Sequence, residues 1–205
     1  MNSVQDILQV LVTDLQNLKP LEIGGVFFGL VSVLFERKGN VLLFPTGIVS
    51  VLVYVFLCFR SRLYADMAIN IYYFIVSIYG WYYWVHKGTS GNTVPVTQCD
   101  NRELMKYLLI LVGSFVVLFV LLKYFTDSDV PMVDATTTAL FLVGMLLLAR
   151  KKIENWFAWI VGNFISIPLY FYKGLVLTSI QFLVFFIISI SGYLVWKKLL
   201  VQEKA

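Results

Sequence analysis

Charge is scarce in this chain. Only 14% of its 205 residues are Asp, Glu, Lys or Arg, against about 25% in soluble domains. With 60% of residues hydrophobic, there is too little polar side chain to cover a water-facing globule, which excludes a soluble fold. Cysteine is nearly missing as well: Cys58 and Cys99 stand alone, too few for a disulfide framework. There is a single histidine, His86, so no His/Cys/Glu cluster has metal-ligand spacing. Gly-x-Ser-x-Gly, paired intramembrane acids and a P-loop are all lacking. We therefore expect no catalytic residue, no metal, no cofactor and no enzyme activity. The formal net charge of +4 does not point to nucleic acid either. The basic residues sit at the ends of apolar runs and not on one patch.

Apolar length is what the chain has, with mean hydropathy +0.82. A membrane-spanning helix needs ~20 apolar residues. Seven apolar segments stand out, at 21–36, 40–59, 63–85, 104–124, 131–149, 153–172 and 175–197. They predict an all-α integral membrane protein with seven transmembrane helices in a lipid bilayer. Residues 1–20 read as an amphipathic lead-in lying in the membrane interface. With Asp6, Asp14 and Lys19 they do not resemble a cleavable leader. Residues 86–103 are the one long loop, and 198–205 read as a tail. With the N-terminus outside, eleven of the sixteen Lys and Arg residues fall on the cytoplasmic side and five outside. By the positive-inside rule the orientation is N-out and C-in. That places Cys58 and Cys99 on opposite sides, with no bond between them. Assembly into a homo-oligomer is left open.

The chain also carries an internal repeat. Residues 63–84 and 175–196, 112 apart, share seven identities over 22 positions, including Ser77/Ser189, Gly80/Gly192 and Trp84/Trp196. Upstream, 48–54 resembles 164–170 at a spacing of 116. Helices 1–3 (21–85) thus resemble helices 5–7 (131–197). Three is odd, so the helix at 104–124 is the extra crossing that lets both triplets insert the same way up. This 3+1+3 parallel-repeat arrangement is a transporter design with its site near the midplane between repeats.

Polar groups inside such spans are candidate site residues. In helix 3, Asp66, Asn70, Tyr73, Ser77, Trp81 and Trp84 share one face at steps of three and four. Trp84 lies where interfacial aromatic belts form. In helix 6, Trp156, Trp159, Asn163, Ser166 and Tyr170 repeat the pattern. Helix 7 adds Thr178, Gln181, Phe185 and Ser189. Amides and hydroxyls suit a carboxamide or a sugar, and aromatic faces suit a flat cationic ring. Pro45 and Pro168 are expected to kink helices 2 and 6. A ligand-binding seven-helix receptor is the rival reading from another class.

Several stretches resemble the PnuC family of nicotinamide riboside transporters. They are Pro45-Thr46-Gly47-Ile48-Val49-Ser50, Leu63-Tyr64-Ala65-Asp66-Met67, Tyr79-Gly80-Trp81-Tyr82-Tyr83-Trp84, Trp156-Phe157-Ala158-Trp159 and Ser166-Ile167-Pro168-Leu169-Tyr170-Phe171-Tyr172-Lys173-Gly174. The resemblance spans about residues 21–198 and implies a SWEET-like fold in a bacterial inner membrane. It also implies facilitated uptake of nicotinamide riboside, an NAD precursor, with a cytoplasmic kinase trapping it by phosphorylation. Thiamine or riboflavin is the cargo of some relatives. The family's WxxW pair carries over to Trp156 and Trp159. Where this chain has Asn163, an aspartate is common in the family, and an amide cannot balance a cationic ring. The counter-charge is then expected from Asp66 or Asp134, unless neutral π-faces suffice.

Overall fold

The computed structural model describes residues 20–88 and 94–202. Among the described residues the seven elements are all α-helices: α1 Pro20–Arg37, α2 Leu43–Arg60, α3 Tyr64–His86, α4 Asn101–Phe125, α5 Pro131–Ala149, α6 Asn155–Tyr172 and α7 Val176–Gln202. The expected lead-in lies outside the described residues except for Pro20, which opens α1. The expected tail is shorter than read, because α7 runs on to Gln202. The long loop is shorter too. Asp100 accepts from the Glu103 amide at 2.7 Å and the Glu103 carboxylate accepts from the Asp100 amide at 3.2 Å. This capping box starts α4 three residues before its apolar run.

Four helices, α2, α4, α5 and α7, are long and apolar enough to cross a membrane by composition alone. The other three carry polar and charged residues, including Glu22, Glu36, Asp66 and Asn163. α4 contains no buried residue and turns Leu109, Val112, Val116 and Val117 outward. In water that face would be costly, whereas in lipid it is the expected surface.

Neighbouring helices pack in a closed ring. α2 touches α1 and α3, α6 touches α5 and α7, and the ring closes through α3 on α5 and α7 on α1. α4 stands outside it against α5. The halves follow one spacing of 112 residues: α2 and α6, like α3 and α7, begin 112 apart. Residues with positive φ obey it as well, Gly39 with Lys151 and Arg62 with Gly174. The spacing of 116 read for 48–54 and 164–170 is therefore not the structural register. A shift of four in an α-helix returns to the same face, so two apolar helices align nearly as well in the wrong register.

The largest buried side chains gather at one end of the ring, where α7 finishes and α2 and α6 begin. Trp84, Trp156 and Trp196 are each 0% exposed. They pack with Leu43, Phe44, Leu148, Ile153 and Leu200, under Val96 from the α3–α4 loop. That loop is pinned by hydrogen bonds from the Thr97 amide to Lys151 O at 3.1 Å and from the Ile153 amide to Thr97 O at 2.9 Å. Trp84 is therefore a core residue and not an interfacial anchor. Pro45 also departs from expectation. It lies in the first turn of α2, where an amide has no intrahelical partner to lose, so only Pro168 interrupts a helix. Both cysteines are free.

Candidate functional site

Beside this plug lies a cavity of about 300 Å³, walled by side chains from α1, α2, α3, α5, α6 and α7. Its shape begins with small residues. Gly29 and Gly47 let α1 and α2 approach so closely that an added Cβ would sit 3.1 Å from Ser50 Oγ at one and 2.9 Å from Ser32 Oγ at the other. Both hydroxyls are spent on backbone: Ser32 donates to Leu43 O at 2.7 Å and Ser50 to Gly25 O at 2.8 Å. Small residues of this kind hold membrane helices together, and here they also hollow out one side of the cavity.

The opposite side is aromatic. Trp159, Phe141, Phe182 and Tyr170 form a row, with successive ring centroids 5.8, 5.9 and 4.9 Å apart and interplanar angles of 33°, 6° and 23°. Equivalent positions of the two halves both line the space: Gly29 and Phe141, Gly47 and Trp159, Tyr73 and Phe185, Ser77 and Ser189. Apart from Tyr73, the first half supplies small and aliphatic residues and Glu36, and the second supplies the rings.

Of the residues singled out from the sequence, Trp156, Trp159, Asn163, Tyr73, Ser77, Phe185 and Ser189 line this cavity. Asn163 is 4% exposed and its Nδ2 donates to Ser189 Oγ at 3.2 Å. Trp156 is fully buried and its indole N–H has no hydrogen-bond partner among the described residues. Asp66, Asn70, Trp81, Trp84, Ser166, Tyr170, Thr178 and Gln181 do not line it. Asn70 Nδ2 donates to Asp66 O at 2.9 Å, and Asp66 itself is exposed near the start of α3. Ser166 is buried against neighbouring helices. Tyr170 reaches the cavity wall only through its stacking on Phe182. Gln181 and Thr178 lie on α7 outside the lining.

Sequence reading missed Glu36, Ser32, Phe141 and Phe182. Glu36 closes an apolar run beside Arg37 and Lys38, which reads as a helix boundary. Here it lines the cavity and accepts a hydrogen bond from Trp159 Nε1 at 2.8 Å. The proposed counter-charge Asp134 is committed elsewhere, to Lys173 at 2.6 Å and Ser128 at 2.7 Å.

Residues 19–198 match the family described as nicotinamide mononucleotide transporter. The chain belongs to this family, that of the PnuC proteins. It is 22% identical over 201 residues to the nicotinamide riboside transporter PnuC of Escherichia coli, covering 86% of this chain and 84% of that one. It is 27% identical over 184 residues to the nicotinamide riboside transporter PnuC of Neisseria mucosa, covering 83% and 69%. It is also similar to the riboflavin/roseoflavin transporter RibM of Streptomyces davaonensis, at 25% identity over 176 residues covering 84% and 82%. A crystal structure of the vitamin B3 transporter PnuC shares the fold, with a TM-score of 0.71 and 24% identity over 96% of this chain and 88% of that one. As a PnuC family member the chain is a multi-pass membrane protein of a transporter family, and the cavity is its candidate substrate site.

Proposed function

We propose that this protein mediates facilitated uptake of nicotinamide riboside across a bacterial inner membrane. The observation that carries the reading is the cavity enclosed by six helices, with a row of rings on one side and Asn163, Ser189, Ser77 and Tyr73 within reach. A pyridinium ring would lie against Trp159 and Trp156, where cation–π attraction is worth about 0.5–2 kcal/mol. The amide and hydroxyls would take the carboxamide and ribose. At about 300 Å³ the cavity is at the small end for ligand sites. That favours a single-ring nucleoside over a three-ring flavin. Thiamine, also cationic and aromatic, is the second reading.

The architecture we infer is SWEET-like, two parallel triplets joined by α4. The closed six-helix ring and the shared 112-residue spacing support it. In the N-out orientation the tryptophan plug lies at the cytoplasmic end, so the present state is closed to the cytoplasm. Phosphorylation by a cytoplasmic kinase would retain the riboside and make passive transport accumulate it.

Proteoliposomes holding the purified protein test this. Labelled nicotinamide riboside should enter down its gradient without ATP or a proton gradient, faster than riboflavin, and Trp159→Ala should slow entry at least fivefold at low substrate. Binding without entry would make the protein a receptor instead.

A further inference from the structure

We infer that Glu36 is the charge selector of the cavity, so that it prefers a ring bearing a fixed positive charge over a neutral ring of the same outline. This deepens the transport reading above and rests on it.

Glu36 is 5% exposed and lines the cavity. Among the described residues the ion pairs are Lys152–Glu103 and Lys173–Asp134, and Glu36 belongs to neither. Among the described residues its side-chain bond is from the Trp159 indole, a neutral donor that offers no counter-charge to an ionised carboxylate. Glu36 also sits in the last turn of α1, where the helix's own partial charge is negative. An acid there opposes the helix dipole and is a poor choice for stability alone. Both anchors hold it still: Trp159 Nε1 grips the carboxylate, and Trp196 Nε1 donates to the Glu36 carbonyl at 2.9 Å.

The two halves explain why one acid is enough. The position equivalent to Glu36 is Leu148, and the position equivalent to Asn163 is Val51; all four line the cavity. Each half therefore contributes one polar group where the other contributes an aliphatic one. The acid faces the space from the first half and the stacking surface comes from the second. A planar cation on the Trp159 face would lie beside the carboxylate that Trp159 itself orients. In an apolar space, opposite charges attract far more strongly than in water, and a buried unpaired charge is costly. A cationic ligand would supply the counter-charge that holds Glu36 ionised, and a neutral ligand would not.

Calorimetric titration of the purified full chain tests the inference with two probes, cationic nicotinamide riboside and its neutral 1,4-dihydro form. Wild type should prefer the cation at least tenfold. Glu36→Gln keeps the acceptor for Trp159 and removes only the charge. It should weaken the cation at least tenfold and change the neutral form less than threefold. Equal losses for both probes, or no loss for either, would overturn the inference while leaving the transport reading in place. Wild type binding neither probe would defeat the transport reading and this inference with it. If Glu36→Gln does not fold, Glu36→Met, which also removes the Trp159 acceptor, is read by the ratio of the two affinities: loss of the preference for the cation supports the inference and its persistence overturns it.

Discussion

Trp84 and Trp196 meet with their ring centroids 6.0 Å apart, one from each half and 112 residues apart in the chain. Each has its own edge-on partner. Phe44 stands 5.1 Å from Trp84 at 89°, and Trp156 stands 5.5 Å from Trp196 at 87°. Phe44 and Trp156 are again 112 apart, and each ring covers a glycine, Gly80 in the first half and Gly192 in the second. The plug is thus one aromatic-over-glycine unit built twice and joined at the two tryptophans.

Gly192→Ala should consequently be destabilising. Its new Cβ would overlap the six-membered ring of Trp156, which is fully buried and held edge-on against Trp196. Overpacking of this kind costs about 1–3 kcal/mol, read as a drop in melting temperature in detergent. Gly113→Ala, with nothing within 4 Å of the new methyl, should leave the melting temperature unchanged or slightly higher.

Asp134→Asn separates the structural acids from the cavity. Asp134 holds Lys173 at 2.6 Å in a partly exposed pair, and such pairs contribute about 0–1 kcal/mol. It does not line the cavity. Stability should fall by less than about 1 kcal/mol, and affinity for nicotinamide riboside should stay within twofold. A tenfold loss by calorimetry would return Asp134 to the site.

The helices were legible because length and hydropathy declare them, and the repeat was legible in α3 and α7 because Ser77/Ser189, Gly80/Gly192 and Trp84/Trp196 mark positions that packing constrains. α2 and α6 were harder. Their register is set by Phe44 and Trp156, which differ in identity, and a four-residue slip keeps every face intact. The site was half legible. Polar stripes identified Tyr73, Ser77 and Asn163 because polar groups are conspicuous in apolar helices. Periodicity cannot tell cavity from helix–helix contact, so Asn70, Ser166 and Gln181 looked equally good. Phe141 and Phe182 gave no signal, because a cavity-facing phenylalanine and a lipid-facing one read alike. Trp84 misled because nearness to a span's end is a statement about depth, and its burial depends on the plug.

Cys99 should label slowly with maleimide at pH 7. It lies in the loop before α4, where burial first, and then the neighbouring Glu154 carboxylate, push its thiol up to about 12. Only the thiolate reacts. Labelling should therefore rise about tenfold per pH unit up to that value, followed by intact mass. Glu154 also accepts from the Cys99 amide at 2.9 Å, so Glu154→Gln should speed labelling at a given pH by removing the nearby negative charge. Rapid labelling of the native protein at pH 7 would mean that the loop does not stay packed against Lys151–Ile153.

Asn163→Asp poses the converse of the charge-removal experiment. The amide donates to Ser189 Oγ, whose own proton is committed to Phe185 O at 2.7 Å. A carboxylate at 163 would face an oxygen with no proton to offer, losing a bond worth about 1 kcal/mol. The apo protein should melt lower. The same carboxylate would stand on the ring-lined side of the cavity, so a cationic ligand should bind more tightly. Ligand should then raise the melting temperature of the variant by more than it raises that of wild type. A smaller rise would place the positive ring away from Asn163, toward the Glu36 side alone.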